Sequence, residues 1–130
     1  MEETPVRKTD HGIPECMLII DDDEINRGIL DNIFSPFYTI EEAENGKIGL
    51  EKLLARTEDY SAVLLDVMMP VMDGMEVLRH LKERQLLDKI PVFLITAEAS
   101  VDTMREAYQM GLMDVISKPV VPFVVQRRVN

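Results

Sequence analysis

Short apolar segments recur along the chain and alternate with segments of helical periodicity. Residues 17–20, 62–65, 92–95 and 115–116 are apolar runs, and runs of this length are typical of strands buried on both faces. The first intervening segment has apolar residues at helical spacing, namely Ile25, Ile29, Leu30, Ile33 and Phe34. Apolar strands that alternate with amphipathic helices predict a parallel sheet covered on both faces, which is a doubly wound α/β domain.

The remaining elements complete five strand–helix units. Residues 38–43 are a weaker strand candidate, and Asn45 followed by Gly46 is a turn signal before the second helix. Gly111 follows the fourth helix at a position that suits a left-handed cap. Pro122 suits the first turn of a fifth helix.

The length of 130 residues is that of one ordinary domain. Residues 1–15 contain two prolines and a glycine without apolar periodicity, so we expect an irregular leader followed by a domain over 16–130. The last residues, 127–130, carry no glycine or proline stop signal. We therefore expect the fifth helix to be truncated and the chain to be the N-terminal fragment of a longer protein.

The cysteine content and the net charge restrict the cellular compartment and the classes of binding partner that fit this chain. Cys16 is the only cysteine, so an intrachain disulfide is excluded and a reducing compartment fits. The apolar runs are too short to cross a bilayer, and residues 1–12 are polar and carry no apolar signal-peptide core, so we expect a cytoplasmic protein. A net charge of −10 argues against direct binding of nucleic acid or an anionic membrane, and it suits cations or a basic partner surface.

Polar residues stand where the predicted strands end. Asp21 and Asp22 follow the first strand, Asp66 the third, Thr96 the fourth and Lys118 the fifth. Ligand sites of open parallel sheets lie at the carboxyl ends of the strands, so these side chains are expected to converge. Clustered carboxylates demand a cation, and their hard oxygens suit Mg²⁺. A lysine and a threonine suit the oxygens of a transferring phosphoryl group, and one carboxylate is a candidate nucleophile.

The same residues resemble the receiver domain of bacterial two-component response regulators. The matching segments are Leu-Ile-Ile-Asp-Asp-Asp at 18–23, Leu-Leu-Asp-Val-Met-Met-Pro at 64–70 with Asp-Gly at 73–74, Ile-Thr-Ala at 95–97 and Ser-Lys-Pro at 117–119. The resemblance covers about residues 16–126, and the spacings of 44, 30 and 22 residues between Asp22, Asp66, Thr96 and Lys118 agree with the family.

The resemblance implies a flavodoxin-like sheet of order 2-1-3-4-5 and a function in phosphorelay signalling. Asp66 would be the phosphoacceptor. Asp21, Asp22, Asp66 and the backbone carbonyl of Met68 would bind Mg²⁺. Thr96 and Lys118 would contact the phosphoryl group, and the bond before Pro119 would be cis.

The resemblance also implies partners. The phosphoryl donor would be a phosphohistidine on a histidine kinase or phosphotransfer protein. An output domain would follow Asn130. A homodimer would form through the fourth helix, fifth strand and fifth helix, where Phe123, Val125 and Val129 are expected to add apolar surface.

One position departs from the family. In the family an aromatic residue in the fifth strand often rotates inward on activation, whereas Val115 stands at that position here and lacks the ring that the usual threonine–aromatic switch requires. Tyr108, on the fourth helix, is expected to bury its ring with the hydroxyl at the surface.

Two alternative functions stay open at this stage. The first is an unphosphorylated docking module with the same fold, against which the intact set of polar residues argues. The second is an aspartate-nucleophile phosphohydrolase. Such enzymes usually carry a second acid two residues after the nucleophile, where this chain has Met68. The favoured hypothesis is a signalling domain that is not a turnover enzyme.

Overall fold

The computed structural model describes residues 15–97 and 100–129. Five parallel strands form one sheet in the order β2-β1-β3-β4-β5. The predicted doubly wound fold and its strand order are therefore confirmed, whereas the predicted leader lies, except for Glu15, outside the described residues. The strands are β1 Cys16–Ile20, β2 Thr39–Ala43, β3 Tyr60–Asp66, β4 Val92–Thr96 and β5 Asp114–Ser117.

A helix follows each strand, and each of the first four helices begins directly after a residue whose side chain caps it. Asp23, Asn45, Asp73 and Ser100 each accept a backbone N–H of the following helix with the side chain, because short polar side chains satisfy the free amides of a first turn. Gly111 ends the fourth helix with a φ of 111°. The helices are α1 Glu24–Phe34, α2 Gly46–Ala55, α3 Gly74–Glu83, α4 Val101–Met110 and α5 Pro122–Val129, with a 3₁₀ turn at Thr57–Asp59.

The core lies on both faces of the sheet. In β1, Leu18 and Ile20 face the cluster formed with α2, α3 and α4, while Met17 and Ile19 face the cluster formed with α1 and α5. All four side chains are fully buried. Because successive residues of a strand point to opposite faces, a strand covered on both faces has no polar position, which explains the continuous apolar runs.

Some side chains differ in exposure from what the sequence predicts. In α1 the buried residues are Leu30, Ile33 and Phe34, whereas Ile25 is 74% exposed. In α5, Val125 is fully buried and is not the surface residue that was expected. The prediction for Tyr108 was also wrong, because 44% of this residue is exposed.

The register of the strands aligns their carboxyl ends. Asp66 pairs with Ile95 of β4, and Thr96, the next residue of β4, pairs with Ser117 of β5. The residue after β1, Asp21, donates its backbone N–H to the carbonyl of Ala43 at 3.1 Å. The polar residues that follow the strands are thus gathered at one edge of the sheet.

Candidate metal and phosphoryl site

Three carboxylates meet at the carboxyl edge of the sheet. Asp21, Asp22 and Asp66 each offer an oxygen, and these oxygens lie within 4.8 Å of one another. Asp21 and Asp66 are buried, with 2% and 6% exposed, whereas Asp22 is exposed. The cluster is therefore open to solvent on one side and held by two strand ends on the other.

Lys118 is the cation of this cluster. Its Nζ lies 3.1 Å from Asp21 Oδ2 and 3.4 Å from Asp66 Oδ2. Burial alone would lower the pKa of the Lys118 ammonium, but the Asp21 and Asp66 carboxylates outweigh this effect and raise the pKa. The lysine therefore stays charged between the two buried acids.

The surroundings of the Asp66 carboxyl disfavour its ionised form, so that its pKa is raised. Burial is the largest influence and raises its pKa, and the neighbouring Asp21 carboxylate raises it further. Lys118 and the backbone N–H of Met68, which lies 3.4 Å from Asp66 Oδ1, offset this only in part. A further positive charge at the cluster would favour the ionised carboxylate.

The cluster fits a hard divalent cation. Its donors are all carboxylate oxygens, which are the ligands that Mg²⁺ prefers. With Lys118 counted against the three carboxylates, a divalent ion would balance the remaining charge. The observed cluster thus supports the coarse prediction that these residues can hold a metal.

Thr96 and Met68 lie next to the cluster, at the end of β4 and in the loop after β3. Thr96 is 2% exposed and ends β4, and its carbonyl accepts the backbone N–H of Lys118 at 2.8 Å. The Lys118–Pro119 bond is cis, as the resemblance implied. Met68 contributes its backbone to the loop after β3, while its side chain points outward and the residue is 71% exposed.

Two residues support the site through contacts that the sequence did not predict, although Gly74 belongs to one of the segments that resemble the family. Gly74 begins α3 with its backbone against the strand end, so that a Cβ there would lie 2.3 Å from the carbonyl oxygen of Asp66. Arg27 of α1 donates from Nη1 to the backbone carbonyl of Asp21 at 2.6 Å and from Nε to Glu42 Oε1 at 3.0 Å. Both lie against backbone atoms at the site, and the apolar and polar pattern of the sequence does not indicate such contacts.

The α4–β5–α5 face carries its own polar network. The Tyr108 hydroxyl donates to Asp114 Oδ1 at 2.9 Å and accepts the backbone N–H of Val115 at 3.2 Å. Arg128 of α5 donates to Asp114 Oδ2 at 3.0 Å and to the Val115 carbonyl at 3.1 Å. Val115 itself is 8% exposed. An aromatic side chain thus contacts the backbone of residue 115 from the neighbouring helix.

Comparison with known proteins decides the family. The family model for the response regulator receiver domain matches residues 17–130. The chain belongs to this family. Receiver domains are the phosphoacceptor signalling modules of two-component response regulators, so the predictions of a signalling function and of a domain that is not a classical enzyme are confirmed.

Three relatives illustrate the range of receiver domains that this chain is similar to. A probable cyclic di-GMP phosphodiesterase of Vibrio cholerae is 32% identical over 119 residues, which are 91% of this chain and 26% of the relative. The transcriptional regulatory protein SrrA of Staphylococcus aureus is 33% identical over 116 residues, which are 89% of this chain and 46% of the relative. The chain therefore spans less than half the length of these relatives.

The third relative is a solved structure. A chain of the CheX–CheY–BeF3–Mg²⁺ complex from Borrelia burgdorferi aligns with a TM-score of 0.86 and 29% identity, and the alignment covers 95% of this chain and 92% of that chain. Within residues 15–97 and 100–129, the receiver domain has no helix with the length and apolar character that a membrane span requires.

Proposed function

We propose that Asp66 is the phosphoacceptor of this receiver domain and that Asp21, Asp22, Asp66 and the backbone carbonyl of Met68 hold Mg²⁺. One observation carries the proposal. The buried Asp66 carboxylate shares a cluster of acidic oxygens with Asp21 and Asp22 and lies 3.4 Å from the Lys118 ammonium.

The transfer needs a nucleophile, a stabilised phosphoryl group and a leaving group. An Asp66 carboxylate oxygen attacks the phosphorus of a phosphohistidine, so an O–P bond forms and the P–N bond breaks. The electron pair of that bond stays on the imidazole nitrogen. Mg²⁺ would supply positive charge against the phosphoryl oxygens. Lys118 pairs with one phosphoryl oxygen, and the Thr96 hydroxyl donates to another.

Intact-protein mass spectrometry tests this assignment. The protein is incubated with phosphoramidate, whose P–N bond mimics that of phosphohistidine, with and without Mg²⁺. We expect a single phosphoryl adduct that requires Mg²⁺ and that Asp66→Asn abolishes. Asp59→Asn, an exposed acid of the 3₁₀ turn at the other end of β3, is the matched control and should be phosphorylated normally. An adduct that persists in Asp66→Asn would refute the assignment.

The partners follow from the family. The donor is proposed to be a histidine kinase or a histidine phosphotransfer protein. This is supported by similarity to the hybrid signal transduction histidine kinase D of Dictyostelium discoideum, which is 34% identical over 109 residues. An output domain after Asn130 is supported by the greater length of the relatives. A cytoplasmic location stays a prediction from the sequence.

A homodimer through α4, β5 and α5 is the proposed output contact. Val121, directly before α5, and Phe123 and Val124, in its first turn, are 53%, 68% and 42% exposed. This face therefore has the apolar side chains that an interface core requires. Light scattering on the phosphorylated and unphosphorylated protein measures whether the mass doubles. An unchanged monomer mass in both states would contradict the dimer.

The two alternatives are disfavoured by the same site. A phosphohydrolase of the aspartate type needs an acid two residues after the nucleophile, and Met68 cannot supply one. A docking module does not require carboxylates buried beside Lys118, because desolvation of charged groups costs free energy that ion pairing offsets only in part. Sustained phosphate release over many turnovers would revive the first alternative, and a folded protein without any adduct would revive the second.

A further inference from the structure

Arg27 connects three elements behind the acidic cluster. It lies in the first turns of α1 and its side chain is only 14% exposed. Nη1 donates to the backbone carbonyl of Asp21 in the loop after β1, and Nε donates to Glu42 in β2. The Nη1 contact, at 2.6 Å, is shorter than most N–H···O hydrogen bonds.

The carbonyl that Arg27 holds belongs to the peptide between two of the three clustered acids. The direction of this carbonyl fixes the plane of the Asp21–Asp22 peptide, since the peptide unit is planar. The plane of this peptide sets the direction in which the Asp22 side chain leaves the main chain, and so the position of its exposed carboxylate. The backbone N–H of Asp21 is meanwhile bonded to the Ala43 carbonyl at 3.1 Å. Arg27 therefore holds the carbonyl of Asp21, whereas the sheet holds its backbone N–H.

We propose that Arg27 is a positioning residue for the metal site, which it serves by holding the Asp21 carbonyl so that the Asp21 and Asp22 carboxylates face the ion together. The inference rests on the proposed Mg²⁺ site. Groups that orient metal ligands typically change metal affinity about 10- to 100-fold when they are removed.

An effect of the Arg27 charge alone and an effect of its hydrogen bond to the Asp21 carbonyl would change Mg²⁺ affinity in opposite directions, so a measurement can separate them. A guanidinium near a cation site repels the ion, so if only its charge mattered, Arg27→Gln would bind Mg²⁺ more tightly. If position matters, Arg27→Gln loosens the Asp21–Asp22 peptide and binds Mg²⁺ about tenfold more weakly. Arg27→Lys keeps the charge but lacks the planar fork that serves two acceptors, so its affinity should fall to an intermediate value.

The measurement is the Mg²⁺ dissociation constant by isothermal titration calorimetry, well below the unfolding temperature of each variant. Circular dichroism without Mg²⁺ reports separately on folding. Arg128→Gln is the matched control, because Arg128 likewise bridges a backbone carbonyl and a carboxylate, namely Val115 and Asp114, away from the acidic cluster. It is expected to lower stability without changing Mg²⁺ affinity.

The outcomes separate the two proposals. Wild-type binding that Asp22→Asn weakens supports the metal site itself, and absence of Mg²⁺ binding by the folded wild type overturns both proposals. Wild-type affinity, or tighter binding, in Arg27→Gln overturns the role of Arg27 alone. If Arg27→Gln fails to fold, Arg27→Lys decides, and unchanged affinity in that variant overturns the role.

Discussion

Replacement of Gly74 by alanine should disturb the fold and the proposed phosphorylation site together. The new Cβ would lie 2.3 Å from the Asp66 carbonyl oxygen and 2.9 Å from the Cα of Val67. Since real Cβ atoms essentially never approach within 3.0 Å, the start of α3 and the end of β3 must separate by at least about 0.7 Å. Both contacts are with backbone, so no side-chain rotation relieves them.

The size of the effect follows from this geometry. Overpacking of a tight interior typically costs about 1–3 kcal/mol, and the better helix propensity of alanine returns at most about 1 kcal/mol. We expect Gly74→Ala to lower the free energy of unfolding by about 1–2 kcal/mol and to lower the urea midpoint by roughly 0.5–1 M. A shift of this order at Asp66 should also slow phosphoryl transfer about tenfold or more.

Gly28→Ala is the matched control. Gly28 lies within α1, and a Cβ there would have nothing within 4 Å. The same chemical change should therefore stabilise the protein by about 0.5–1 kcal/mol and leave phosphoryl transfer unchanged. Urea unfolding by circular dichroism and the rate of adduct formation measure both effects. A Gly74→Ala variant with a urea midpoint equal to or above that of the wild type would show the steric argument to be wrong.

Two further predictions concern polar contacts away from the acidic cluster. Burial, reinforced by Glu41, raises the pKa of the Cys16 thiol to about 11, so its alkylation by iodoacetamide at pH 8 should be on the order of 100-fold slower than in urea. Because the folded state favours the neutral thiol, this contribution to stability is present below pH 9 and is lost as the pH rises towards 11; a native alkylation profile with its midpoint near 9 would contradict this. Tyr108→Phe removes the hydroxyl between Asp114 and Val115 and should cost about 1 kcal/mol in thermal unfolding, whereas an unchanged midpoint would make this network energetically neutral.

The sequence revealed those parts of the fold in which burial dictates residue type. Strands β1, β3 and β4 are covered on both faces, so each was visible as an apolar run that ended on a polar residue. The clustering of Asp21, Asp66 and Lys118 was predictable because the carboxyl ends of parallel strands share one edge. Their side chains carry the chemistry, and their identities are written directly in the sequence.

Contacts with the backbone were not predictable in the same way. The partner of Arg27 is a carbonyl that any residue at position 21 would offer. The role of Gly74 comes from how closely α3 approaches β3, which depends on packing rather than on pattern. Tyr108 stays 44% exposed because its hydroxyl is held by Asp114 at the surface of β5, and apolar periodicity gives no warning of such a bond.

The strand order also sets the timescales on which parts of the site can open. β3 lies at the centre of the sheet and is bonded on both sides, by β1 and β4, so its amides should exchange with solvent only when the whole domain unfolds. Lys118 follows β5, which is an edge strand of the described sheet and pairs with β4 alone, and edge elements open in local fluctuations. We therefore expect the strand that carries Asp66 to open more slowly than the edge strand before Lys118, so that hydrogen exchange would separate the two halves of this ion pair.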